Sequence, residues 1–252
     1  MIFSISNIAW NPSERLKAYD IMNKNNFTGL EIAPGLLFYS SKNPLNPSKN
    51  KIRLVSKELN SRNLELVSIQ SLLFNKKDAF LFGNNHQKKK FINALTEVLN
   101  FAGKLEIPNL VFGSPKNRNI PINMKHEEAL NIAMEVFYYL GEIACLEGTK
   151  ISIEANPIKY GTNFLNETSD VISFVKTIDN KGIKSTFDMG AVKMNDNFSI
   201  IEELITRAIP QLNHVHISEP NLKPAPNSLV EFSQVFKILT KVGYEKAISI
   251  EM

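Results

Sequence analysis

Short runs of β-branched and apolar residues alternate along this chain with longer stretches whose apolar positions recur every three or four residues. The short runs predict strands over residues 2–6, 28–33, 64–70, 108–112, 150–154, 183–188, 212–217 and 247–251. The longer stretches predict helices over 13–25, 52–62, 87–104, 125–147, 167–179, 199–208 and 228–242. Proline-containing and polar segments separate them, and neither a linker nor a low-complexity tract interrupts the series. Eight strands and seven helices in strict alternation predict one (β/α)8 barrel domain over 1–252.

A second pattern supports closure. Strands buried in an open parallel sheet read as continuous apolar runs. Here seven strands place polar or small residues on one face near their C-terminal ends: Ser4 and Ser6, Gly29 and Glu31, Ser68 and Gln70, Ser152 and Glu154, Thr186 and Asp188, His214 and His216, Ser249 and Glu251. The alternate residues (Phe3, Ile5, Leu30, Ile32, Ile151, Ile153, Val215, Ile217, Ile248, Ile250) stay apolar. Apolar residues under a ring of helices and polar residues facing a barrel mouth account for both faces. No glycine-rich phosphate loop follows any strand to favour a doubly wound sheet. The sequence stops one residue after Glu251 and leaves no eighth helix. That predicts a groove beside the last and first strands, covered by a second copy of the chain or flanked by a loosely held terminus.

Composition narrows the class. Hydrophobic residues make up 43% and charged residues 21%, and the net charge of +4 is mildly basic. The basic run Lys88-Lys89-Lys90 precedes an amphipathic helix and reads as its solvated face, so charge argues against a nucleic-acid partner. No unbroken apolar run approaches the ~18 residues that would span a bilayer, and the first residues do not read as a secretory signal. The single cysteine, Cys145, lies in an apolar helical setting and is expected in the core. Together these predict a cytoplasmic protein.

Chemistry concentrates at strand ends. Glu154, Asp188, His216 and Glu251 all fall at the C-terminal ends of the fifth to eighth strands, where barrel enzymes place their sites. Three carboxylates brought together repel one another unless a cation or proton intervenes. One imidazole with three carboxylates suits a single borderline-to-hard divalent ion: Mn²⁺, Mg²⁺, Zn²⁺ or Co²⁺.

The segments Ile-Glu154-Ala-Asn, Phe-Asp188-Met-Gly, His214-Val-His216-Ile-Ser-Glu219 and Ser-Ile-Glu251 follow one another at separations of 34, 28 and 35 residues. In that order they resemble the xylose isomerase-like barrels, a superfamily of sugar isomerases, ketose 3-epimerases and an apurinic endonuclease branch. The resemblance covers essentially the whole chain. It implies a Glu154–Asp188–His216–Glu251 metal site in which Glu154 and Glu251 also move protons through an enediolate. It therefore implies a metal-dependent isomerase or epimerase of a sugar, sugar phosphate or sugar acid. A dehydratase or lyase of a keto-polyol uses the same chemistry, and a catalytically silent sugar-binding relative is the non-enzymatic alternative. Relatives often carry a histidine three residues after the strand-six aspartate, where this chain has Ala191. The endonuclease branch binds three zinc ions through further histidines, but His86 and His126 lie at helix starts, so DNA-repair chemistry is not expected.

Substrate contacts are expected from Glu31, Gln70, Asn156 and His214 in the cavity, from Lys116 and Arg118 on the loop after the fourth strand, and from Glu219. Trp10, with Phe74 and Tyr160, is expected to offer an apolar wall to a sugar's C–H face.

Overall fold

Phe3 and Ile5 alternate with Ser4 and Ser6 in the first strand, β1 (Ile2–Ser6). The structure, a computed structural model, describes residues 1–252. It continues with α1 (Arg15–Lys24), β2 (Gly29–Ile32), the one-turn α2 (Pro34–Leu37), α3 (Lys49–Asn60), β3 (Glu65–Ile69), α4 (Asn85–Lys104), β4 (Leu110–Phe112) and α5 (His126–Leu146). The second half comprises β5 (Ile151–Glu154), α6 (Thr168–Ile178), β6 (Ile183–Asp188), α7 (Met189–Met194), α8 (Ile201–Ala208), β7 (Leu212–Ser218), α9 (Leu229–Lys241) and β8 (Ala247–Glu251). All strands are parallel, and β8 closes on β1 from Ile2↔Ala247 to Ile5↔Ile250. The architecture is the (β/α)8 barrel, and β8 has no helix after it.

Helix starts depart from the apolar pattern because caps, not core contacts, set them. Ser48 accepts a hydrogen bond from the Lys51 amide, so α3 begins three residues before its first apolar position. Asn84 and Gln87 form a reciprocal capping box at the head of α4. Two short helices, α2 and α7, lie in segments expected to be loops. In α7 the cap is Asp188 itself, whose carboxylate accepts from the Ala191 amide.

The two strand faces separate as the alternation requires. Ser4, Ser6, Glu31, Ser68, Ser152, His214, His216 and Ser249 are fully buried, so the barrel interior is polar. Asn109 ties three strands together there, donating to Ser68 and accepting from Ser152 and Asn213. The alternate residues pack under the helices in one large apolar cluster spanning β2 to β6 and a smaller one around β6 to β8. Beside the last strand, Phe3 stacks on Phe236 of α9 at 5.9 Å and meets Phe27 edge-on at 6.3 Å. The strand β8 pairs with both β7 and β1, so it is not the loose terminus that the sequence allowed.

The helix α5 adds one property and corrects one expectation. Its mean hydropathy reaches 1.3 over an 18-residue window, long and apolar enough to cross a bilayer. Glutamates 127, 128, 135 and 142 break up the run in sequence, which hid that property. In the barrel its Ala133, Phe137, Leu140 and Ala144 face is buried. Cys145, one position further round the helix, is exposed and not a core thiol.

Candidate metal centre

Four neighbouring parallel strands bring the expected donor set to one end of the barrel. Glu154, Asp188 and Glu251 are the last residues of β5, β6 and β8, and His216 stands beside Asp188 in register on β7. One donor atom from each lies within 4.8 Å of the others. The Nδ1 of His216 is 2.8 Å from Glu154 Oε1, 3.4 Å from Glu251 Oε2 and 3.9 Å from Asp188 Oδ2. Glu154 and Glu251 thus flank an arc with Asp188 and His216 between them.

Neighbouring groups position two of the acids: Glu154 through one oxygen, and Asp188 through both, one of which accepts from the Ala191 amide. Asn156 donates to Glu154 Oε2 at 3.2 Å. Ser218 donates to Asp188 Oδ2 and accepts from the Gly190 amide at 3.0 Å. Gly113, just past β4, gives Glu154 its space: a Cβ there would come within 2.7 Å of Oε2. Sequence reading missed Ser218 and Gly113. Ser218 shares the face of His216 two residues on, so strand periodicity carried a signal; the close approach at Gly113 had none.

A second acidic contact holds the other side of the imidazole. Both oxygens of Glu31 lie 3.1 Å from His216 Nε2, and Glu31 Oε2 lies 2.8 Å from His214 Nε2. Gln70 donates to Glu31 at 3.3 Å and to Ser6 at 2.6 Å, and Ser249 donates to Glu31 at 3.3 Å. Glu31 and His214 are wholly buried behind His216, away from the cavity in which the sequence placed them.

Crowding sets the charge states. Burial pushes the Asp188 carboxyl up to about 6, with Glu154 adding repulsion that His216 only partly offsets. Burial likewise takes Glu251 to about 8, with Glu154 and Asp188 pushing the same way. Burial would strip the proton from His216, but Glu31, Glu251 and Glu154 outweigh it and hold the imidazolium well above the usual histidine range. Against the same desolvation, the two imidazoles keep Glu31 well below the usual carboxylate range. His214 is lowered, chiefly by burial. No lysine or arginine side chain pairs with Glu154, Asp188 or Glu251; their one cationic neighbour within ion-pair distance is His216. Three oxygens and one nitrogen, under-compensated and pre-gathered, fit a divalent cation of the borderline-to-hard class.

The acids line a cavity of about 720 Å³, with Gln70, Asn156, Tyr160 and Lys116 also on its wall. Phe74 lines it as well, 73% exposed. The remaining expected contacts lie elsewhere. Arg118 is fully buried and donates to the carbonyls of Glu154 at 2.9 Å and Leu165 at 3.4 Å, so it is not on an open rim. The loop turns inward through Ser114, whose φ of 46° is left-handed, and carries Arg118 over the Phe112 ring. Glu219 is bound to Lys193 at 2.6 Å and to the Asn227 amide at 2.9 Å, outside the cavity wall. Trp10 packs edge-on against buried Tyr19 at 6.1 Å and does not line the cavity. His86 and His126 are exposed at the starts of α4 and α5, in neither donor group.

A family model described as the xylose isomerase-like TIM barrel matches residues 20–252. Among curated proteins none matches this sequence. A D-psicose 3-epimerase from Clostridium cellulolyticum H10 superposes with a TM-score of 0.80 at 17% identity, covering 99% of this chain and 84% of that one. The 3-keto-D-glucoside 4-epimerase of E. coli gives 0.79 at 16% identity, covering 100% and 91%. An AP endonuclease, family 2, from Brucella melitensis gives 0.75 at 16% identity, covering 100% and 93%. At these identities the likeness is one of fold.

Proposed function

This chain belongs to the xylose isomerase-like TIM barrel family, and from that premise we propose that it is a metal-dependent isomerase or epimerase of a sugar or sugar derivative. The observation that carries the reading is the convergence of Glu154, Asp188, His216 and Glu251 within 4.8 Å, on the wall of a ligand-sized cavity. These four residues would hold one divalent ion. When bound, such an ion would supply positive charge that stabilises an enediolate formed beside a substrate carbonyl.

The protein's own groups do the rest. Glu154 and Glu251, at opposite ends of the donor arc, take and return the proton at carbon. Return to the same carbon from the other side inverts it; return to the neighbouring carbon interconverts aldose and ketose. Asn156 keeps the Glu154 head aimed, and Ser218 with the Ala191 amide does the same for Asp188. Gln70 and Tyr160 on the cavity wall supply polar contacts for hydroxyls. A silent relative would be favoured by a Glu251 turned away from the donors; its Oε2 lies 3.4 Å from His216 Nδ1, which supports the catalytic reading. The exposed positions of His86 and His126 speak against the three-metal chemistry of the endonuclease branch.

The test is carbon-bound hydrogen exchange in D₂O. The protein loaded with Mn²⁺, Mg²⁺, Zn²⁺ or Co²⁺ is incubated with a panel of ketoses and followed by NMR. Exchange at one carbon, abolished in Glu154→Gln and Glu251→Gln, is expected. Release of a hydroxyl would reassign the chain as a dehydratase, and exchange that survives both substitutions would overturn the proposal.

A further inference from the structure

The cavity is charged on two sides, and only one of them belongs to the donor set. Lys76, Lys77 and Lys116 also line it, from the loops after β3 and β4. These loops are bolted to each other. Asn117, next to Lys116, donates from its side chain to the carbonyls of Lys76 at 3.3 Å and Ala79 at 2.6 Å. The amide of Leu81 donates to the Asn117 carbonyl at 2.9 Å. The Asn117 side chain and one backbone bond therefore tie the two lysine-bearing loops together.

An acid outside the cavity neutralises one of the three lysines and none neutralises the other two. Lys76 reaches Glu97 at 3.3 Å, and Glu97 does not line the cavity. Asp78, the acid beside Lys77 in sequence, is taken by Lys90 at 3.1 Å. Lys77 and Lys116 have neither an ion-pair nor a hydrogen-bond partner for their ammonium groups, and both are exposed. Like charges held together without partners repel, a cost that an anion removes. The only acids on the wall are Glu154, Asp188 and Glu251. With Lys76 answered by Glu97, two unpaired lysines face three carboxylates, and a divalent cation bound at the acids tips the cavity to excess positive charge. A neutral sugar does not answer that excess.

We infer that this cavity takes a sugar or polyol bearing one anionic group, a phosphate or a carboxylate, seated between Lys77 and Lys116. The inference rests on the isomerase or epimerase reading of the acid end and deepens it. The reacting carbon lies at the acids and the anion at the stitched loops, which fixes the direction of the substrate along the cavity.

The test compares one carbon skeleton in three forms: D-fructose, D-fructose 6-phosphate and D-fructuronate, with D-ribulose and D-ribulose 5-phosphate as a shorter pair. Exchange in D₂O gives kcat/KM for each. An anionic member is expected to exceed its neutral parent by about tenfold or more, the worth of one or two charge-assisted contacts. Whether phosphate or carboxylate leads names the group. In the Lys77→Gln/Lys116→Gln double variant, whose sites are exposed loop positions, the anionic-to-neutral ratio should fall toward one, mainly through KM. Added NaCl should erode the wild-type ratio in the same direction.

Neutral parents that equal or exceed every anionic form, or a ratio that survives in the double variant, would overturn the inference. Absence of exchange with every sugar would sink the isomerase reading instead. The anion seat is then read alone by calorimetric binding of D-fructose 6-phosphate, which must weaken in the double variant for the inference to stand.

Discussion

Both carboxylate oxygens of Glu31, one residue before the end of β2, lie 3.1 Å from Nε2 of His216 on β7. That contact fixes the imidazole ring and leaves Nδ1 facing Glu154, Asp188 and Glu251. A histidine that binds a cation through one nitrogen is commonly oriented through the other by a buried acid. Glu31 was expected to meet substrate hydroxyls; it is buried behind the ring, and we propose that it positions the imidazole. Glu31→Gln keeps the volume and one acceptor, so the fold should survive. Mn²⁺ affinity should fall by about 10- to 100-fold, read by equilibrium titration. Unchanged affinity would show that the ring needs no such support.

The pH dependence of the metal-free protein follows from the same crowding. Glu251 titrates near 8 against an ordinary 4.5, and His216 well above its ordinary 6.5. Both groups bind more protons folded than unfolded, so stability must fall as pH rises through this range. Glu31 and His214 have the opposite sign, but the first contribution is lost only on acidification below the usual carboxylate range and the second only below about 6.5, and neither changes on metal binding at the other side of the ring. A bound divalent ion replaces those protons. The gain in Tm on adding Mn²⁺ should therefore widen steadily between pH 6 and pH 8, and Glu251→Gln should flatten the trend. A gain independent of pH would contradict the assigned proton load.

Arg118 carries a third prediction. Its guanidinium is fully buried, and burial lowers it to about 10. Its hydrogen bonds go to the carbonyls of Glu154 and Leu165, which places it under the β5 end as a brace. Arg118→Ala removes that packing and leaves both carbonyls short of a donor, for an expected loss of about 2 to 4 kcal/mol. The midpoint of urea unfolding should drop accordingly. A midpoint unmoved by the substitution would return Arg118 to the list of ligand contacts.

The barrel was legible because strand periodicity is local. Alternation fixed which residues of β5 to β8 share the interior face, and parallel neighbours then had to bring Glu154, Asp188, His216 and Glu251 to one end. Side chains outside the strands obeyed other rules. Arg118 and Lys116 sit two residues apart on one loop, yet a left-handed turn at Ser114 precedes a path that buries one and exposes the other. Nothing in the residue types distinguishes them. Glu219 read as a cavity residue, but Lys193 and the Asn227 amide, 26 residues before it and 8 after it, hold it elsewhere. Glu31 was legible as inward-facing, while the histidine pair closing over it depends on contacts across the barrel. The short helix α7 was hidden because its cap, Asp188, also closes a strand.

Gly113 offers the sharpest separation of site from scaffold. Its backbone needs no left-handed φ, so alanine can adopt the same conformation there. The added Cβ would meet Glu154 Oε2 at 2.7 Å and Asn156 Oδ1 at 3.3 Å, both ends of side chains that can swing aside. The fold should tolerate the change within about 1 kcal/mol, while the Glu154 head is forced off its position. Displacement of a reacting group by about an ångström can cost on the order of 100-fold in rate. Gly113→Ala should therefore lower the exchange rate in D₂O by that order with a nearly unchanged Tm. Because Asp188, His216 and Glu251 are untouched, Mn²⁺ should still bind, though more weakly. A variant exchanging at the wild-type rate would mean that the position of Glu154 Oε2 does not matter to the chemistry, and would remove Glu154 from the proton-transfer pair.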